Sequence, residues 1–320
     1  MTEEAKTEFV ACIHAHTQPR DPEPSGLSER LGPLPDVRAV LFDVYGTLLT
    51  SKTGHAGPNP PSDAGAIDAA LTAAGWPNAE IPKGLDVAAA LENRVQASAA
   101  ERRKKGEDYP AADARAIWRD VLAKILGTSP KKLDAAAIER FVVELECRIN
   151  PVCPMPDLRE TLAELRARDL KLGVVSDGQF YTPLVLEAAL GLPPAEAGIE
   201  PSCSLYSYQI GVTKPSPLLY EEAMIALENE FAILSDEVLY VGSRFEEGIL
   251  PANAMGFRTA LYAGDAASLQ LGANDLDAMS HAPPDRILTG LAQLKEVLRV
   301  AKPKDRLAGI DLEADIGGDD

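Results

Sequence analysis

Arg38-Ala39-Val40-Leu41-Phe42-Asp43-Val44-Tyr45-Gly46-Thr47-Leu48-Leu49-Thr50 is the stretch on which the reading of the chain turns. Val40, Leu41 and Phe42 form the short apolar run of a fully buried strand. Asp43 follows at once, and Gly46-Thr47 supplies turn chemistry. A carboxylate at the carboxyl end of a buried parallel strand lies where open α/β sheets bind ligands. Such an Asp can attack phosphorus or carbon and form an acyl-type intermediate that water later cleaves. Taken alone, the same residues also describe a strand followed by an Asx-turn, so the flanking segments decide.

Upstream, residues 1–36 hold many Glu, Pro, Ser and Gly and read as a mostly irregular leader, helical over residues 3–12. Cys12-Ile13-His14-Ala15-His16 carries metal-ligand residue types there, without a second half-site. Downstream, Gly54, Gly57, Pro58, Pro60 and Pro61 make residues 51–61 a flexible connection. Helical patterning follows. Residues 86–105 are Ala-rich and end in Arg102-Arg103-Lys104-Lys105, which complements a helix dipole. Ile117, Val121, Leu122 and Ile125 share one face of a helix within residues 110–126. Ser129-Pro130 reads as the start of the next, with Ile138, Phe141, Val142, Leu145 and Ile149 at helical spacing. With no strand pattern, residues 51–154 read as a helical cap.

Strand-helix alternation then resumes. Apolar strands are predicted at 170–175, ending in Ser176-Asp177-Gly178, and at 238–241, ending in Gly242-Ser243-Arg244. Further strands are read at 202–206, 257–262 and 286–288, with helices from near Pro156, over 183–190, and from Pro217 to 229. Thr289 is read as the cap of a last helix through Leu291, Leu294, Val297 and Leu298. Residues 301–320 read as a mobile acidic tail. The expected fold is therefore α/β: a Rossmann-like parallel sheet core from residues 37–50 and 155–300, interrupted by an all-helical cap.

The formal net charge of -18 over 320 residues argues against nucleic acid or an anionic membrane as partner, since both need clustered cations. Four cysteines without CxxC spacing read as reduced thiols of a cytoplasmic protein. No apolar run approaches the roughly 18 residues of a spanning helix. The N-terminal Met1-Thr2-Glu3-Glu4 is acidic where a signal peptide is basic. The composition says little about a small substrate; a small anionic molecule is the partner implied by the motif resemblance that follows, and a homodimer is left open.

Chain order and spacing resemble the haloacid dehalogenase (HAD) superfamily of hydrolases over residues 37–298. Its motifs match Phe42-Asp43-Val44-Tyr45-Gly46-Thr47, the strand ending in Ser176, and Lys214-Pro215. The resemblance implies Asp43 as nucleophile, Thr47 holding its carboxylate, Ser176 binding substrate, and Lys214 neutralising charge between nucleophile and substrate. Tyr45, Asp177, Gly178 and Arg244 are implied beside the substrate, with Asp43, the Tyr45 carbonyl and Glu247 as metal ligands. Asp43, Ser176 and Lys214 should converge, with Asp43 and Lys214 charges within about 8 Å, a Debye length. Arg94, Arg115 and Arg119 are candidate anion-binding groups of the cap.

Two positions depart from the pattern. The phosphatases of the superfamily carry a second Asp two residues after the first, and this chain has Tyr45. A tyrosine, with an ordinary pKa near 10, suits proton transfer poorly near neutral pH, and Tyr is found there in the 2-haloacid dehalogenases. The fourth motif should present acids for Mg²⁺, yet Ser243 or Arg244, and Gly248, stand at those places and argue against the metal. Arg244 is read as a tethered substitute cation, as an ion-pair partner of Asp43, or as a solvent-facing side chain. The expected activity is hydrolysis of a phosphate ester or 2-haloacid. The alternative is a catalytically impaired member with a binding or regulatory role.

Overall fold

The computed structural model describes residues 2–17, 19–51, 56–60, 64–269 and 271–298. In chain order these form α1 (Glu3–His16), β1 (Ala39–Phe42), β2 (Leu49–Thr50), α2 (Ala64–Ala73), α3 (Val87–Arg103), α4 (Ala114–Ile125), α5 (Ala135–Ile149) and β3 (Cys153–Pro154). There follow α6 (Leu158–Ala167), β4 (Lys171–Ser176), α7 (Thr182–Leu190), β5 (Ile199–Tyr206), α8 (Ser207–Ile210), α9 (Leu218–Phe231) and β6 (Val238–Gly242). The last are α10 (Leu250–Ala254), β7 (Arg258–Tyr262), α11 (Ala273–His281), β8 (Arg286–Leu288) and α12 (Leu294–Val297). The acidic tail lies outside the described residues, as does part of the 51–61 connection.

Six parallel strands make the main sheet, in the order β5-β4-β1-β6-β7-β8. β1 lies between β4 and β6, with Val40 opposite Leu172 on one side and Leu239 on the other. Its side chains alternate between two cores. Val40 and Phe42 pack with Leu162, Leu172 and Val174, whereas Ala39 and Leu41 pack with Leu219, Tyr220 and Tyr240. Both faces are covered, which is why this strand is apolar throughout instead of alternating. The strands run the same way, so Asp43, Ser176 and Ser243 emerge at one edge of the sheet. The chain builds outward from β1 in both directions, and that reversal opens a crevice at its carboxyl end.

β2 and β3 pair antiparallel, Thr50 opposite Cys153, so the connections to and from the helical insert run side by side. Within the insert Asp86, Asp113 and Asp134 accept hydrogen bonds from backbone amides at the starts of α3, α4 and α5. Ser129-Pro130 does not start α5 as read. It opens a one-turn 3-10 helix, and Asp134 is the cap that starts the α-helix. Trp118 and Phe141 meet edge to face at 5.0 Å between α4 and α5. No described residue of 64–150 joins the main sheet.

The leader is more ordered than its composition suggests. α1 continues to His16, beyond the predicted end at residue 12, because Phe9 and Ile13 are buried on one face. Arg140 of α5 pairs with Glu8, and Lys6 pairs with Glu187 of α7 at 2.9 Å. Residues 20–34 then run along the β7-β8 side, where Arg20 meets Asp265 at 2.7 Å and Arg30 bridges to Ile287. The C-terminal reading also changes. Leu291–Gln293 is a 3-10 turn before α12, and the Gln293 side chain accepts from the amides of Thr289 (2.7 Å) and Gly290 (3.2 Å). Thr289 is therefore not the cap.

Candidate active site

Asp43 leaves the ladder by donating its amide to the Val241 carbonyl at 2.9 Å. Its side chain turns back over the end of β1 and is buried. One carboxylate oxygen, Oδ1, accepts from the Val44 amide at 2.8 Å and from Ser176 Oγ at 2.7 Å. The other, Oδ2, is ion-paired with the Lys214 ammonium, whose side chain is 1% exposed. Lys214 Nζ also stands 3.4 Å from the Tyr240 hydroxyl. Asp43, Ser176 and Lys214 thus meet at one point, although they come from β1, β4 and the loop after α8.

Burial alone would strip the proton from Lys214, yet the charges of Asp43 and then Asp177 raise its pKa above the ordinary lysine value. Lys214 therefore keeps its proton. Asp177 accepts the Lys214 backbone amide at 2.9 Å. Burial pushes its carboxyl up to about 6, opposed by Lys214 and reinforced by Asp43. Burial likewise holds the Tyr240 phenol well above its usual value, so it remains a neutral neighbour of Lys214.

Two hydroxyls complete the surroundings. Thr47 Oγ1 and Ser243 Oγ are buried and have no hydrogen-bond partner among the described residues. Asp43 is thus held by Val44, Ser176 and Lys214, and the expected bond from Thr47 is absent. Gly46 sits between these hydroxyl-bearing segments at φ 79°, and a Cβ there would lie 2.5 Å from Ser243 Oγ. Both the left-handed backbone and the close approach require glycine.

The other expected residues divide. Gly178 lies at the start of the loop before α7, where a Cβ would come within 2.9 Å of the Tyr206 ring, so packing accounts for it. The Tyr45 hydroxyl is 3.0 Å from Thr182 Oγ1 at the start of α7. Arg244 pairs with Glu247 at 2.7 Å across a π turn, Phe245–Ile249, and neither locks Asp43 nor faces open solvent. Of the cap arginines, Arg94 pairs with Asp120 at 2.6 Å, and Arg119 is exposed. Arg115 pairs with Asp113 at 3.2 Å while its guanidinium lies over Phe180. None has Asp43 as its partner.

Gln179 was not foreseen. Its amide donates to the Ala112 carbonyl at 2.8 Å and accepts from the Ala114 amide at 3.0 Å. Nearby, Ala111 and Thr213 complete backbone bonds of 2.8 Å to Gly211 and Tyr109. The insert is thereby fastened to the loops that carry Asp177 and Lys214. Nothing in the local sequence marks a lone Gln for this task.

The profile of the haloacid dehalogenase-like hydrolases matches residues 37–256. The chain belongs to that family. This HAD-like hydrolase is 29% identical over 224 residues to a glyceraldehyde 3-phosphate phosphatase of Methanopyrus kandleri, covering 70% of this chain and 82% of the relative. A protein of the same name from Methanocaldococcus jannaschii is 26% identical over 140 residues, covering 44% and 56%. In fold, the HAD-like hydrolase is similar to a 2-haloacid dehalogenase of Pseudomonas syringae, with a TM-score of 0.53 at 24% identity, over 81% of this chain and 97% of the other.

Phosphatases of the family use Mg²⁺, a cation that demands near-octahedral oxygen ligation. The donors at this site do not fit it. Ser243 and Gly248 have no carboxylate to offer, and Glu247 is paired with Arg244. Among the described residues no trio of acids gathers at Asp43.

Proposed function

We propose that this HAD-like hydrolase acts on a small anionic substrate of the 2-haloacid type by metal-independent nucleophilic attack from Asp43. The observation that carries the reading is that, among the described residues, no group of acids gathers at Asp43 to hold Mg²⁺. The two oxygens of Asp43 are not equivalent. Oδ2 beside Lys214 attacks the substrate carbon, forming a C–O bond as the halide departs with the C–X electron pair. Water then adds to Asp43 Cγ, and the acyl C–O bond breaks to release a 2-hydroxy acid, a proton and the free carboxylate. The oxyanion of that second step develops on Oδ1, where Val44 N–H and Ser176 Oγ already donate. The buried hydroxyls of Thr47 and Ser243 supply donors for the substrate carboxylate or the hydrolytic water.

Phosphoryl transfer is the second reading, favoured by the names of the archaeal relatives. Tyr45 speaks against it, since its hydroxyl faces Thr182 and burial lifts its pKa well above the usual value. The test compares halide release from 2-chloropropionate and haloacetates in EDTA with phosphate release from phosphomonoesters in Mg²⁺. Halide release that survives EDTA and disappears in Asp43→Asn is expected. Mg²⁺-dependent phosphate release without halide release would overturn the proposal.

A further inference from the structure

Cys12 and His16 are four residues apart on α1 and so share one face of that helix. The fold places Cys147 of α5 against them. A thiol sulfur from each cysteine and a ring nitrogen of His16 all lie within 4.8 Å of one another. Cys12 Sγ stands 3.9 Å from His16 Nδ1, whose N–H donates to the Cys12 carbonyl at 2.9 Å, so His16 ligates through Nε2 or after Nδ1 gives up that bond. Tetrahedral zinc, with Zn–S near 2.3 Å and Zn–N near 2.0 Å, needs donors roughly 3.5–3.8 Å apart. A contraction of about an ångström or less converts the observed trio into such a set.

The surroundings favour a soft divalent cation. His16 and Cys147 also line a cavity of about 20 Å³ bounded by Thr17, Asn150 and Tyr181, so room remains beside the donors. Glu144, three residues before Cys147 on α5, is ion-paired with Arg148. The three donors are partly exposed, so an ion can enter and solvent can occupy a fourth position.

We infer that Cys12, His16 and Cys147 form a thiophilic metal site, taking Zn²⁺, that fastens the leader helix to the last helix of the cap. Three protein donors with the fourth position left to water satisfy the ligand types zinc prefers. The site is separate from the Asp43 cluster, and its existence does not depend on which substrate that cluster hydrolyses.

Metal-stripped full-length protein is titrated with Co²⁺ and Zn²⁺ under reducing, oxygen-free conditions. One equivalent of Co²⁺ should give thiolate-to-cobalt charge-transfer bands and tetrahedral d–d bands, which one equivalent of Zn²⁺ abolishes. Zn²⁺ should shield two of the four thiols from a chromogenic reagent and raise the unfolding temperature. The Cys12→Ser/Cys147→Ser double variant should lose all three responses while keeping its circular dichroism, and His16→Ala should weaken Co²⁺ binding at least tenfold. If the wild type takes up no stoichiometric metal, or the folded double variant takes it up equally, the site does not exist. Loss of two thiols through a Cys12–Cys147 disulfide, with no metal bound, would overturn the proposal in favour of a redox pair. Should the double variant fail to fold, the wild-type cobalt spectrum and stoichiometry decide alone.

Discussion

Lys214 is the residue that separates this site from a buried strand-end carboxylate with local capping. Removing one partner of a buried ion pair leaves an uncompensated charge, at a cost of about 3–5 kcal/mol. Lys214→Met should therefore lower stability by that order in urea unfolding and also abolish turnover. Asp43→Asn/Lys214→Met should recover part of the stability but none of the activity. Asp177 carries a pH prediction. Its folded pKa is raised to about 6 from an ordinary 3.8, so the folded state holds the proton more tightly. Stability is then lost as pH rises from about 4 through about 6. Asp177→Asn should consequently gain about 1–2 kcal/mol over wild type at pH 7 and nothing near pH 3.5, less than the full shift because the side chain is partly exposed. A gain independent of pH would contradict this. Asp43, Ser176 and Lys214 were legible because two end apolar strands and the third precedes a marked Pro-rich helix start. The partner of Arg244 was not, because the π turn brings Glu247 back over it, and that turn leaves no periodic signal.

The insert's attachment is a matter of elements. Residues 109–111 lie against 211–213, and Gln179 spans to the start of α4. Gln179→Ala removes two hydrogen bonds worth about 1 kcal/mol each. Amide exchange at Ala114 should accelerate, and KM should rise more than kcat falls, since the cluster around Asp43 does not include Gln179. Unchanged exchange would show that the loop is held elsewhere. The helices of the insert were readable from their apolar spacing and acidic caps. The four-turn leader helix was not read to its end, since the face formed by Phe9 and Ile13 gains meaning only once α5 and α7 are packed against it. Gln293, which caps the final turn through its side chain, replaced Thr289 for the same reason: both are polar residues at a helix start, and geometry chose between them.

For the molecule as a whole, a parallel sheet collects several charged groups at one edge, and the insert is hydrogen-bonded to the loops that carry two of them. No described helix is long and apolar enough to cross a membrane. The fold is that of a family whose phosphatases use Mg²⁺, while among the described residues no group of acids gathers at Asp43. Calorimetry on the wild type should find no stoichiometric Mg²⁺ binding attributable to Asp43, and the same heat in Asp43→Asn. Adding acids would not simply restore a metal shell, because a Cβ at Gly248 would meet the Tyr240 hydroxyl at 3.0 Å. The central claim is that Asp43 becomes covalently attached and is regenerated by water at its own carbonyl carbon. Turnover of 2-chloropropionate in ¹⁸O-water, followed by mass spectrometry of the peptide containing Asp43, tests it most directly. The account predicts ¹⁸O in the Asp43 carboxylate after several turnovers. Label in the hydroxy-acid product during the first turnover, with none in Asp43, would contradict it.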